Sequence, residues 1–276
     1  MNIVLISDFH FSEVPGGAEW NDRCLESSLS RQNNVTFLTT EAFNARFSEL
    51  ENVGLFVFSN FYFLSAPAEE FARQQNYLII EHDYKFTRTR NPLLYQDFIV
   101  PPGDMVHERF YANARVVVVQ SRLQLAIFQK NLPLRNYYCL GGNLWPDDEL
   151  DLMEEIAGKP KNGKAAILDA DSPGKGTRTA FKYCGVRGIP CDLIREAGHI
   201  HFLRLLGRYS SFVFLPSTPE SFSRVCLEAK MMGLKVVTHD LVGAAGEELF
   251  RLQPREVVKR MREKKEELVQ LIRKFL

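Results

Sequence analysis

Short, unbroken apolar runs alternate along the chain with longer stretches in which apolar positions recur every three or four residues. NIVLIS (2–7), VTFLT (35–39), VGLFVFS (53–59), YLIIEH (77–82) and ARVVVVQS (114–121) are apolar throughout rather than at every second position. That pattern marks strands buried on both faces. Between them, 18–30, 66–75 and 122–132 carry helical spacing. The series predicts a parallel sheet covered by helices on both sides.

The rhythm breaks at GGNLWPDDELDLMEEIAGKPKNGK (141–164), where paired glycines, a proline, an acidic run and a Lys/Gly/Asn/Pro cluster predict a domain junction. A second series follows. Strands are expected at 165–170, 190–196, 211–217 and 234–240, and helices at 179–188, 201–209 and 223–233. The tail opens with Pro254, suited to a first helical turn, and Val257, Met261, Leu268, Leu271, Ile272 and Phe275 form an apolar stripe among charges. The expected organisation is therefore 1–146, a first Rossmann-like domain, 147–253, a second, and 254–276, a terminal helix. Two such domains in tandem leave a cleft toward which strand C-termini point.

Composition changes this picture little. Of 276 residues, 45% are hydrophobic and 25% charged, ordinary for a globular protein. The formal net charge is zero, so no global field favours nucleic acid or an anionic membrane. By halves, 1–146 holds 12 Lys/Arg against 15 Asp/Glu and the remainder 22 against 19, a small bias toward an anion site in the second half. No run approaches the roughly 20 apolar residues of a membrane span. MNIVLISDFHF lacks the basic flank of a signal peptide. The five cysteines form no CxxC pair, which suggests reduced thiols, Cys139 and Cys226 as buried filler, and a cytoplasmic location.

The chemistry concentrates in STPESFSRVCLEAKMMG (217–233). With a helix starting near Ser221–Ser223, Glu220 lies ahead of it and Glu228 two turns along, roughly 12 Å away at 1.5 Å per residue. That is the reach from a nucleotide's ribose, past a diphosphate, to an attached sugar. The free amides of a helix N-terminus between the two carboxylates favour phosphate. By spacing alone a helix-dipole partner and a solvated helix residue are equally open readings.

The run FLPSTPESFSRVCLEAKMMGLKVVTH closely resembles the Glu-x7-Glu segment of retaining GT-B glycosyltransferases, the family of bacterial mannosyltransferases and of glycogen and sucrose synthases. The resemblance implies two Rossmann-like parallel α/β domains facing across a cleft, with the C-terminal helix crossing back to the first. It implies that Glu220 meets the donor sugar and Glu228 the ribose, with Ser221, Phe222 and Ser223 supplying amides to the diphosphate. Weaker pieces cover most of the chain. VPGGAEW (14–20) looks like the family's glycine-rich first loop, where Gly16 and Gly17 allow close backbone approach to donor phosphates or acceptor. His82, ending IIEH, matches the position near the donor sugar. DADSPGKGT (169–177) falls where the family places an Arg and a Lys on the diphosphate. Lys175 matches the Lys and no Arg stands in the usual place, which implies either a weakened diphosphate clamp or Arg178 or Arg195 acting in its stead.

GKGT is no Walker A loop, since Gly follows Lys175 where Ser or Thr is needed. Asp169-x-Asp171 is expected to cap its loop rather than bind metal, and no His/Cys cluster has zinc spacing. DYKFTRTRNP (83–92) is the one basic-aromatic cluster. Its Asp83, Lys85, Arg88 and Arg90 are candidate acceptor contacts, and a solvated loop is the plainer reading.

These features imply transfer of a sugar from a UDP- or GDP-linked donor to an acceptor hydroxyl, with retention and with neither metal nor cofactor, His82, Lys175 and Glu220 being catalytic. Two alternatives stand beside it. One is a nucleotide-sugar binding module without turnover. The other is a DNA-modifying sugar transferase, since compact GT-B chains of this look resemble ones in phage genomes, though neutral net charge argues against a duplex partner.

Overall fold

The computed structural model describes residues 1–14, 16–195 and 198–276. Pro15 of the glycine-rich loop, and Glu196 at the end of the strand expected at 190–196, lie outside the described residues, as does Ala197. The chain divides into two compact units, Met1–Leu144 with Lys264–Leu276, and Trp145–Glu263.

In the first unit the elements run β1 (Asn2–Ser7), α1 (Gly17–Leu29), β2 (Asn34–Thr39), α2 (Thr40–Arg46), β3 (Leu55–Phe58), α3 (Ala66–Ala72), β4 (Tyr77–Ile80), α4 (Glu108–Asn113), β5 (Val117–Val119), α5 (Arg122–Asn131) and β6 (Tyr137–Cys139). All six strands are parallel, in the order β2-β1-β3-β4-β5-β6. The unbroken apolar runs are explained by burial on both faces. Ile3, Leu5, Val57 and Leu78 join one core, which Leu268, Val269 and Ile272 of the chain's end complete. Val4, Ile6, Phe56, Phe58 and Ile79 join the other, which is rich in rings. Within it, the Tyr77 and Phe110 rings stack at 4.9 Å. β1 lies between β2 and β3, so the strand order reverses between β1 and β3, where open α/β sheets bind their ligands.

The second unit runs α6 (Asp147–Ala157), β7 (Ala165–Leu168), α7 (Thr177–Val186), β8 (Cys191–Ile194), α8 (His199–Leu206), β9 (Ser211–Val213), α9 (Arg224–Met231), β10 (Lys235–Val237) and the first part of α10 (Pro254–Arg273), whose residues from Lys264 on belong to the first unit. Its four parallel strands are ordered β10-β9-β7-β8, with the reversal between β7 and β9. The stretch read as a junction is in part a helix. Asp147, Asp148 and Glu149 occupy the first turn of α6, where negative charge is favourable, and Leu150, Met153 and Ile156 are buried one turn apart. The first residues of α10 serve this unit, with Val257, Val258 and Met261 in its core.

Candidate functional site

At the reversal point of the second unit, the loops after β7 and β9 touch because two glycines have no side chains. Ser217 N donates to Gly174 O at 2.9 Å. Gly176 takes φ +71°, and a Cβ there would lie 1.8 Å from the Leu215 carbonyl oxygen, so no other residue fits. This apposition sets Lys175 over the β9 loop, where Nζ meets the Glu220 carboxylate at 2.8 and 3.1 Å. Two residues 45 positions apart, each singled out from the sequence, thus form one ion pair. Glu220 is fixed by its backbone: its N–H donates to Leu241 O, and its carbonyl accepts from Gly243 N, in a parallel bridge to Val242. The Lys175 side chain is 41% exposed, so the pair is worth little to stability. It is accessible and polar, as a binding pair must be.

α9 begins at Arg224, a residue later than the expected Ser221–Ser223 start. Ser223 precedes it at φ +74°, and its side chain caps none of the helix's own amides. A serine at positive φ is strained, and such strain is held only where the surroundings fix it. The Phe222 side chain is fully buried in the core. It has only its backbone to offer a donor, which is the amide contact expected of it.

Glu228 is not a solvated helix residue. It is 2% exposed. Its Oε1 accepts from Trp145 Nε1 at 2.9 Å and pairs with His199 Nε2 at 3.0 Å, with Arg224 Nε at 3.6 Å. Glu149 stands on the other side of His199, 3.3 Å from Nδ1. Burial opposes ionisation of both partners, and their mutual attraction outweighs it. His199 is raised to about 9, by Glu228 and Glu149. Glu228 is lowered to about 2 by His199, Arg224 and the Trp145 hydrogen bond. Arg195, the expected substitute on the diphosphate, is half exposed but engaged: Nη2 meets Asp171 at 2.7 Å and Nε the Asp169 carbonyl at 3.0 Å. The two aspartates expected to cap their loop instead hold this arginine.

At the reversal point of the first unit lies a second polar cluster. His82 follows β4, and both its ring nitrogens are engaged, Nε2 with Ser59 Oγ at 2.7 Å and Nδ1 with the Gln120 side-chain amide. Ser59 Oγ donates to Asp22 Oδ1. With its proton directed there, Ser59 Oγ is placed to accept from Nε2. The chain of hydrogen bonds runs Gln120, His82, Ser59, Asp22. Gly16 ends the loop before α1, and a Cβ there would lie 2.2 Å from Glu19 Oε2. Its missing side chain makes room for the carboxyl of its own helix. Gly17, the first residue of α1, is exposed.

The 83–92 segment differs most from expectation. Tyr84, Lys85 and Phe86 are 1% exposed or less. Lys85 Nζ donates to Glu81 Oε1 at 2.7 Å and Asp83 Oδ1 at 2.9 Å, and Tyr111 donates its hydroxyl to Glu81. Burial works against the Lys85 charge, and the two carboxylates more than restore it. Asp83 is held at about 2 against burial by Lys85 and Arg90. Lys85 therefore cannot meet an acceptor or a DNA duplex, and Asp83 is committed within the chain. Arg88 and Arg90 are exposed, with Arg90 paired to Asp83 and 5.1 Å from the Tyr62 ring.

Sequence reasoning passed over Glu19, Asp22, Asn60, Gln120 and His199. For the first two a signal existed: acidic residues at i and i+3 stand on the inward face of α1, beside Leu25 and Leu29.

No family model and no curated protein matches the chain. Solved structures do. The Anabaena protein Alr3699/HepE, in complex with UDP, superimposes with a TM-score of 0.58 at 14% identity, over 97% of this chain and 91% of that one. A glycosyltransferase from Rickettsia africae gives 0.59 at 11%, over 97% and 93%. A UDP-forming α,α-trehalose-phosphate synthase from Burkholderia xenovorans gives 0.54 at 12%, over 96% and 90%. The fold is the two-unit α/β fold of the GT-B glycosyltransferases. No helix is long and apolar enough to cross a membrane among the described residues.

Proposed function

We propose that the chain transfers a sugar from a nucleoside-diphosphate donor to an acceptor hydroxyl, with retention and without a metal. The observation that carries this reading is the Lys175–Glu220 ion pair at the second unit's reversal point, beside the start of α9, which the Ser223 side chain does not cap. A diphosphate competes with Glu220 for the Lys175 ammonium. When it wins, Lys175 and the first amides of α9 neutralise the leaving group, and Glu220 is released to accept hydrogen bonds from sugar hydroxyls. Preorganised charge and backbone dipoles of this kind stabilise a departing diphosphate without a metal. The solved complexes of HepE hold UDP and UDP-glucose, which supports a uridine donor. Within this reading Glu228 acts on the donor through the position of α9 rather than by touching it, and Arg195 reaches a phosphate only by leaving Asp171.

A thermal-shift series with UDP, GDP, ADP and their sugar conjugates tests the proposal. A ligand at 100 times its Kd adds about 2.7 kcal/mol. A shift with one base, lost in Lys175→Ala and kept in Arg88→Ala, is the expected result. A shift with none of them, or one indifferent to Lys175, overturns the reading.

A further inference from the structure

The starts of three helices of the second unit meet at one place. Glu149 stands in the first turn of α6, His199 is the first residue of α8 and Arg224 the first of α9. Glu149 Oε2 lies 3.3 Å from His199 Nδ1 and 4.0 Å from Arg224 Nη2. His199 Nε2 and Arg224 Nε meet Glu228 Oε1 at 3.0 and 3.6 Å, and the Arg224 guanidinium lies 4.3 Å from the centre of the Trp145 ring. None of the four charged side chains is more than 11% exposed.

Helix electrostatics disfavour this arrangement. A cation at a helix N-terminus faces the positive end of the macrodipole. Neither α8 nor α9 has an acidic residue in its first turn, and neither has a side-chain cap. The two cations are met instead by Glu149 of α6 and by Glu228, one turn into α9. Buried ion pairs are often no more stabilising than apolar packing of the same volume, and their best-attested use is to fix one geometry.

The geometry fixed here belongs to the donor site. Only Ser221, Phe222 and Ser223 separate Glu220 from Arg224. Gly243 N and Ala244 N hold this run from the other side, donating to Glu220 O and Phe222 O. α6 packs against both α8 and α9, and the His199–Glu228 pair joins α8 to α9 directly. Glu149 of α6 and Glu228 of α9 face His199, with Arg224 behind them, and the two carboxylates favour the imidazolium against burial. When the proton leaves, both carboxylates are left against a neutral ring and α8 loses its charged hold on α9.

We propose that the His199 imidazolium is a positioning residue for the donor diphosphate: by tying α6 and α8 to Glu228 it holds the first turn of α9 in place, so that nucleotide affinity requires its charge. The inference rests on the transferase reading for its nucleotide, and His199 acts through Glu228 without touching the donor.

The test is an NMR titration of the His199 ring in the full chain, from neutral pH to above 9, with and without UDP, and with GDP and ADP alongside. Coupling is reciprocal, so a nucleotide that needs the imidazolium must also hold its proton on. The midpoint is expected about one pH unit higher with nucleotide bound, the counterpart of an affinity effect of about tenfold. UDP affinity is accordingly expected to fall about tenfold in His199→Gln at neutral pH. The ratio of the two Kd values then approaches one above pH 9, where the wild-type ring is neutral too. Titration of the nucleotide itself is common to both chains and drops out of that ratio. Glu149→Gln removes one of the carboxylates that hold the proton and is expected to move the fall in affinity to lower pH. The wild-type titration decides the matter even where His199→Gln fails to fold. A His199 midpoint unmoved by a nucleotide that binds, or a Kd ratio equal at every pH, overturns this role and leaves the transferase reading standing. Binding of none of the three nucleotides overturns both.

Discussion

Asp22 and Glu228 are both carboxylates on helices, both 2% exposed, and each belongs to a different unit. They differ in what meets them. Glu228 has an indole N–H, an imidazole and a guanidinium around one oxygen. Asp22 has Ser59 on one oxygen and no donor on the other. A buried carboxylate closed by its own chain holds a structure together, whereas the second oxygen of Asp22 is sealed from solvent without a donor. Motif spacing singled out the first and ignored the second, because spacing reports where a residue stands and not whether its hydrogen bonds are complete.

The sharpest way to break this contrast is to truncate each carboxylate. Glu228→Ala leaves His199 and Arg224 as buried cations with Glu149 alone to offset them and is expected to cost about 3 kcal/mol, read by chemical denaturation. An unchanged midpoint would place Glu228 among the ligand contacts instead. The pH dependence of stability comes next. His199 has its pKa raised from 6.5 to about 9, so its contribution is complete below 6.5 and lost as pH rises through 9. That amounts to roughly 3 kcal/mol, and His199→Gln is expected to flatten this limb. Glu228 works at the other end: lowered from 4.5 to about 2, its contribution is complete above 4.5 and lost as pH falls through 2. Gly176→Ala, which drives a Cβ into the Leu215 carbonyl, is expected to cost about 2 kcal/mol or more and to weaken nucleotide binding as the loops part. Smallest of all, Asp22→Asn is expected to move stability by less than about 1 kcal/mol, measured by the same denaturation.

Much of the fold was legible because its signal is local. Continuous apolar runs such as YLII and VVV are buried strands, and nothing else accommodates them. β6 escaped notice because Tyr137–Cys139 is only half-buried. α6 escaped because its acidic first turn reads as a loop unless Leu150, Met153 and Ile156 are set one turn apart. In the site, Lys175 and Glu220 were each legible and their pairing was not, since contact across 45 residues depends on two glycines in the loops that carry them. Lys85 misled for a related reason. A lysine among aromatics looks solvated until two carboxylates, Glu81 and Asp83, are seen to fold around it. Asp22 and Asn60 had no motif to mark them at all.

The most direct measurement of the central claim is the release of UDP from UDP-glucose, with and without a neutral saccharide acceptor, by the wild-type chain and by Lys175→Ala. Acceptor-stimulated release that falls roughly 10²–10³-fold in the variant is the expected result. No diphosphate released from UDP-, GDP- or ADP-sugars, or release that Lys175→Ala leaves untouched, would contradict it.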